Sequence, residues 1–400
     1  MDIYAYAISQ QGSAHILADQ PCQDASATTW VLSSDGVTGY QISAIADGVG
    51  SCLLSQRGSA EAVEKVMEYL SSELQNMTDP DDTGILTLLE QAFNYAEESV
   101  EVLADQEMMS VLEYDTTLTV TVYRGDGSLW YGHSGDGGVV ALYADGTYGM
   151  LTHRHKGDEA NSVFPLRFQE EWEFGKAGKP AAAFAMMTDG VLDAHVGNEL
   201  YDNRVYFPFF KLVLTALPES GAENEMHREH MAGILSSSEF RRRVTDDITL
   251  VRVMNSVLVT LLPSVEFDME KWEQQTREVN ERIQKELEES AMEQMRQLNQ
   301  ERISCIPHEE TPTGELPDEK DGEKGFQDKS GDCLDRIMEA TQDFFSEVVI
   351  QTKGFFRQVF RDLTQPVQTN LPQEDAEEYG LQHEDREPEV DESMPDQQEM

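Results

Sequence analysis

A chain of 400 residues with 39% apolar content has room for one to three domains of roughly 100 to 200 residues and for a sizeable core. A wholly disordered polymer is excluded. Its 29 Lys and Arg stand against 76 Asp and Glu, a net charge of −47, so nucleic acid would be repelled and is not an expected partner. Met1 to Gln11 has no basic region ahead of an apolar one. The longest nearly apolar run, Val257 to Leu262, falls far short of the roughly 20 residues of a membrane span. Cytoplasmic placement is expected, and the widely spaced Cys22, Cys52, Cys305 and Cys333 read as reduced thiols rather than a zinc or disulfide framework.

Acidity is uneven along the chain. Residues 1–255 hold 39 acids and 15 bases in a mixture of strand-like, Gly-rich and helical segments, and the remaining 145 residues hold 37 acids and 14 bases. One globular domain is expected over 1–255. Helical spacing marks Ser59 to Leu74 (Ala60, Val63, Val66, Leu70, Leu74) and Thr83 to Leu103 (Leu88, Leu89, Ala92, Ala96, Val100, Leu103), one helical layer between strand-rich stretches. A stripe through Val265, Met269, Trp272, Thr276, Val279 and Ile283 predicts a long amphipathic or coiled-coil helix over 265–303. A Glu, Asp, Lys, Gly and Pro-rich linker follows over 304–333, then a Phe-rich amphipathic helix over 334–363 that wants a partner helix or surface, then an acidic disordered tail over 364–400. Membrane association of that extension is not expected, because anionic lipid would repel its acids.

Asp-Gly pairs punctuate the first 190 residues and are hairpin signals before they are anything else. Asp35-Gly36, Asp126-Gly127 and Asp145-Gly146 each lie between alternating or β-branched runs and read as turns. Three others terminate apolar strands: Ile42 to Ala46 before Asp47-Gly48, Leu129 to Ser134 before Gly135-Asp136-Gly137, and Ala183 to Met187 before Thr188-Asp189-Gly190. Asp246-Asp247 stands immediately ahead of the β-branched run Ile248 to Val253, so these acidic points can meet at strand ends. Carboxylates that converge repel unless a cation lies between them. With hard oxygen donors and no His or Cys in the clusters, Mg²⁺ or Mn²⁺ suits better than Zn²⁺, and two ions about 3.5 to 4 Å apart would clamp a phosphoryl oxygen. Ordinary turns and caps are the competing reading of the same residues.

Six segments, in order, resemble the metal-dependent protein phosphatases of the PPM or type-2C Ser/Thr class: PCQDA (Pro21 to Ala25), AIADGVGS (Ala44 to Ser51), YDTTLTV (Tyr114 to Val120), GHSGDGG (Gly132 to Gly138), MTDGVLD (Met187 to Asp193) and TDDITLV (Thr245 to Val251). Gly12 and His15 ahead of PCQDA look most like a bacterial branch. The resemblance implies an α+β fold, a PPM-like four-layer α-β-β-α sandwich with two central antiparallel sheets, carrying a helical and disordered C-terminal extension. It implies that Asp47 bridges two Mn²⁺ or Mg²⁺ ions with the Gly48 carbonyl on the first, that Asp189 and Asp246 hold the second, that Asp24 acts through a metal-bound water, and that Asp136 serves a third metal. Asp247 falls beside the ligand Asp246, and Asp193 is expected to be structural. The implied reaction is hydrolysis of phosphoserine or phosphothreonine in proteins by a metal-bridging hydroxide, with no phosphoenzyme. Its implied partners are a phosphoprotein substrate and a cognate Ser/Thr kinase.

Three departures accompany the resemblance. Asp19 occupies the position where much of the family has a phosphate-gripping Arg, Val49 replaces a proton-donating His, and GHSGDGG lacks the Ser-Arg that commonly follows Asp136. His15 and Arg57 are candidate replacements for the missing Arg, each with a surface or capping role as the blander reading. Arg241-Arg242-Arg243 reads as a solvated face, and Cys22 as a packed thiol. The departures motivate a second hypothesis, an inactive pseudophosphatase that binds phosphoproteins or a kinase as a scaffold.

Overall fold

The computed structural model describes residues 2–155, 163–197 and 203–304. Its strands, in chain order, are β1 (Ile3–Gln10), β2 (Ala25–Leu32), β3 (Gly39–Ala46), β4 (Leu118–Arg124), β5 (Leu129–Ser134), β6 (Gly138–Tyr143), β7 (Tyr148–Met150), β8 (Glu173–Lys176), β9 (Ala181–Met187) and β10 (Ile248–Asn255). The helices are α1 (Ser13–Ala18), α2 (Ser55–Asn76), α3 (Asp82–Gln106), α4 (Asp189–His195), α5 (Phe207–Thr215), α6 (Gly221–Leu235), α7 (Ser238–Arg241), α8 (Ser256–Thr260) and α9 (Met269–Ser304). Two five-stranded antiparallel sheets result, ordered β1-β10-β9-β6-β7 and β2-β3-β4-β5-β8.

Three apolar clusters make this a four-layer sandwich. Ile45, Tyr123, Leu129, Val139, Phe184, Met186, Val251 and Val253 fill the space between the sheets. Leu88, Phe93, Val66 and Leu70 of α2 and α3 pack on Ile42, Val120 and Val122 of one sheet. Phe207, Phe210, Met231 and Leu235 of α5 and α6 pack on Ala183, Ala185, Val140 and Leu250 of the other. Because each sheet is covered on both faces, its central strands read as continuous apolar runs instead of alternating ones, as in the AAAFAMM of β9.

Capping chemistry sets several boundaries. Asp81 accepts from the Gly84 N–H at 2.8 Å and starts α3. The helix expected from residue 265 begins instead at Met269, because the Asp268 carboxylate accepts from the Lys271 N–H at 2.9 Å and caps it there. Val265 and Phe267 precede the helix as irregular chain and pack on the domain. Trp272 in the first turn lies 5.4 Å from the Tyr206 ring, with the Arg204 guanidinium stacked over it at 4.6 Å. The linker beyond Ser304, the second helix over 334–363 and the tail over 364–400 lie outside the described residues. Among the described residues, no helix is long and apolar enough to cross a membrane.

Asp247 ties three separated parts of the chain at one end of the sandwich. Its side chain is 2% exposed and lies 2.9 Å from His15 Nδ1. It accepts from the Gly12 N–H at 2.6 Å and the Gln23 N–H at 2.5 Å. The approach is close enough that a Cβ at Gly190 would collide with the Asp247 carbonyl oxygen, and one at Gly12 with the Asp246 backbone.

Two stability outcomes follow from this packing. Asp247→Ala strands two inward-facing N–H groups, at a cost of roughly 2 to 5 kcal/mol, which urea denaturation at neutral pH will read as a lowered midpoint. Phe184→Ala opens a cavity between the sheets beside Tyr123, 5.5 Å away ring to ring, and is expected to cost roughly 3 to 5 kcal/mol by the same measurement.

Candidate metal centre

Strand register explains why the acids meet. Ala25 on β2 pairs with Ala46 on β3, which places Asp24, one residue before β2, beside Asp47, one residue after β3. In the other sheet Gly138 of β6 and Leu250 of β10 both pair with Met187 of β9. Asp136, Asp189 and Asp246 therefore flank the same end. The other three Asp-Gly pairs are the hairpin turns that their flanks suggest: Asp35, Asp126 and Asp145 each accept from the N–H two residues on, at 2.7, 2.9 and 3.0 Å.

Carboxylate oxygens of Asp47, Asp136 and Asp189 all lie within 4.8 Å of one another. Burial pushes Asp47 and Asp189 well above the usual carboxylate range, and neighbouring acids add to it: Asp24, Asp189, Asp136 and Asp246 around Asp47, and Asp136, Asp193, Asp246 and Asp24 around Asp189. Asp24 is raised to about 7, chiefly by burial, although the Thr188 hydroxyl donates to its Oδ2 at 2.9 Å. Asp24 Oδ1 and Asp189 Oδ1 are buried without a hydrogen-bond partner. Asp246 stands at the rim, its side chain 57% exposed, outside the tight three-acid group but sharing a cleft with Asp189.

The DTT portion of YDTTLTV anchors the Asp47 loop. Asp47 N–H donates to Thr117 Oγ1 at 2.9 Å, the Asp47 carbonyl accepts from Thr117 N–H at 2.8 Å and from Thr116 Oγ1 at 3.0 Å, and Val49 N–H donates to the Asp115 carbonyl at 2.9 Å. Gly48 N–H donates to the Gln23 carbonyl at 3.1 Å, joining the loop to the Asp24 segment. Two adjacent threonines on one strand edge were the sequence signal for this role.

The candidate cations are distributed differently from expectation. Asp19 is exposed and closes α1 in the left-handed region at φ 55°. His15 faces Asp247 at 2.9 Å and Asp246 at 4.0 Å, and Arg57 is paired with Glu107. Arg154 is 2% exposed and paired with Asp193, and its Nε donates to the Asp136 carbonyl at 2.8 Å. Burial, with Asp247 and Asp24 nearby, pushes the Cys22 thiol up to about 12, so it is no nucleophile at neutral pH.

The donor set fits a hard divalent cation: half-buried carboxylates in mutual repulsion, buried oxygens of Asp24 and Asp189 without a hydrogen-bond partner, and no His or Cys among the three converging residues.

Comparison with known proteins places this geometry in a family. The model of the family "Protein phosphatase 2C" matches residues 11–236. The chain is 28% identical over 257 residues to "Serine/threonine-protein phosphatase 3" of Escherichia coli (strain K12), covering 60% of this chain and 94% of that protein. Similar solved structures include the S. agalactiae serine/threonine phosphatase (15% identity, TM-score 0.44, covering 63% of this chain and 99% of that one). PppA of Pseudomonas aeruginosa is another (17% identity, TM-score 0.41, covering 64% and 98%). The chain belongs to the protein phosphatase 2C family.

Proposed function

We propose that the acid cluster at the end of the sandwich hydrolyses phosphoserine and phosphothreonine monoesters in proteins, with two or three Mn²⁺ or Mg²⁺ ions as its cofactors. The observation that carries this reading is the half-buried group Asp47, Asp136 and Asp189, which each bring one carboxylate oxygen within 4.8 Å of the others. Asp47 and Asp189 would hold the ions at the core of the cluster, with Asp246 joining from the rim and Asp136 adding a further carboxylate. When bound, such ions supply Lewis acidity to phosphoryl oxygens and make water a nucleophile near neutral pH.

The chain's own residues do the rest. Thr116 and Thr117, just ahead of β4, fix the Asp47 backbone. Thr188 orients Asp24, donating to Oδ2, which leaves Oδ1 aimed inward to hold or accept a proton. Asp247 holds the Gly12 and Gln23 backbones against β10 and so keeps Asp24 and Asp246 at one end of the two sheets. Arg154 restrains the Asp136 loop through its carbonyl. The scaffold alternative is not favoured, since every family ligand position named here carries its carboxylate. A cytoplasmic signalling role opposite a Ser/Thr kinase, in a bacterial cell, belongs to the same proposal and is supported by the chain's family and by the bacterial source of the E. coli relative.

Purified full-length chain is expected to hydrolyse p-nitrophenyl phosphate and a phosphothreonine peptide with Mn²⁺, and to lose that turnover in EDTA and regain it on readdition of metal. Asp47→Asn removes one charge at the centre of the cluster and is expected to lower kcat roughly 10²- to 10³-fold while the thermal midpoint of the metal-free protein stays the same or rises. Turnover indifferent to EDTA and to this substitution would reject the reading.

A further inference from the structure

The loop that carries Asp136 is Gly135-Asp136-Gly137-Gly138, a run with little conformational preference of its own and costly to order. Two of its glycines are required by fit. Gly135 sits at φ 113°, where a Cβ would strike the Thr117 side chain, and a Cβ at Gly137 would strike the Met187 carbonyl oxygen. A second stretch of chain runs alongside and holds the loop. Leu151 N–H donates to the Val139 carbonyl at 2.8 Å and His155 N–H to the Gly135 carbonyl at 2.7 Å, while Val139 N–H donates to Thr152 Oγ1 at 3.1 Å. Between these ties, Arg154 Nε donates to the Asp136 carbonyl at 2.8 Å.

Arg154 also reaches the other side of the strand. In its sheet β6 lies between β7 and β9; the segment 151–155 follows β7, and α4 follows β9. The guanidinium pairs with Asp193, about one helical turn beyond Asp189 in α4. One side chain, itself 2% exposed, therefore joins the Asp136 loop to the helix that opens with Asp189. Those two acids push apart: after burial, Asp136 and then Asp193 contribute most to raising Asp189 above the usual carboxylate range. A planar cation bonded to both segments opposes that separation, because its fork serves a carbonyl and a carboxylate at once.

We infer that Arg154 is a positioning residue that sets the spacing of the Asp136 and Asp189 carboxylates, and thereby the affinity of the cluster for the ion that Asp136 would help to hold. This role rests on the phosphatase reading above and on the metal ions it entails. Arg154 acts from behind the acids, through a backbone carbonyl and a helix, and loss of such a support typically weakens metal binding about 10- to 100-fold. Asp47 is held separately, by Thr116 and Thr117, so an ion that depends chiefly on Asp47 keeps its affinity.

The test titrates full-length protein with Mn²⁺ by calorimetry and follows turnover of p-nitrophenyl phosphate against Mn²⁺ concentration. In R154A the weakest Mn²⁺-binding step is expected to lose about tenfold or more in affinity, with tighter steps changed less than about threefold. Half-maximal turnover should need correspondingly more Mn²⁺, while kcat at saturating Mn²⁺ stays within about threefold of wild type. R154K keeps the charge without the fork and should lie between R154A and wild type. K179A removes a positive charge at the opposite end of β6, where Lys179 pairs with Asp145, and should match wild type throughout. A folded R154A whose Mn²⁺ steps equal those of wild type would overturn the inference. So would equal weakening of every step together with a lowered thermal midpoint, which would make Arg154 a general support of the fold. A loss in K179A as large as in R154A would overturn it too, as the mark of bulk charge. If R154A does not fold, R154K and R154Q carry the test, and wild-type affinity in both overturns the inference. Wild type that binds Mn²⁺ without hydrolysing phosphate esters rejects the phosphatase reading and leaves the affinity comparison intact, whereas wild type that binds no Mn²⁺ overturns both.

Discussion

Repulsion among half-buried carboxylates is the constraint around which this domain is built. At 4.8 Å two full charges repel by roughly 3 kcal/mol at an effective dielectric near 20, and each loses hydration besides. Asp47 and Asp189 respond by holding their protons far more tightly than exposed acids. No net stabilisation of the fold comes from bringing them together. The rest of the molecule, two sheets packed through Phe184, Tyr123 and Val251 with helices outside, supplies the rigidity that keeps them there. A loosely packed end would relax by turning the acids to solvent, and the metal would then have to assemble its own site at the cost of ordering the chain.

The device that prevents relaxation is local and polar. The threonine pair just ahead of β4 fixes Asp47 through its backbone, so that its carboxylate is not needed to hold the loop. Asp247 uses a second carboxylate for structure beside one offered to the site at Asp246. The same residue type thus serves opposite purposes one position apart. What separates them is hydrogen bonding: N–H groups and an imidazole surround Asp247, whereas Asp189 Oδ1 has no partner.

That distinction shows which parts of the fold and site were legible in the sequence. Flanking patterns separated hairpin Asp-Gly pairs from strand-ending ones correctly, since a turn needs polar or alternating neighbours on both sides and a covered strand does not. Order and spacing of the six segments carried the sandwich architecture. They marked Asp136 as one of the converging acids but only as the holder of a third metal; that it sits in the tightest group depends on the Gly138–Met187 register between strands. The Asp247 ties join residues 224 and 235 positions apart, beyond any periodicity argument. The start of α9 was misplaced for a local reason: apolar spacing continued through Val265, and the capping carboxylate of Asp268 decides the boundary.

Charge makes the placement of individual cations decisive. A chain of net charge −47 surrounds itself with a field that opposes an approaching phosphoprotein, so neither steering nor affinity comes from the surface at large. Divalent ions reverse the sign only near the cluster, and screening confines their reach to about 8 Å at physiological salt. Within that range a guanidinium beside the acids counts for more than basic residues elsewhere. Arg154 is turned onto the carbonyl of Asp136 and onto Asp193, where it steadies the acids.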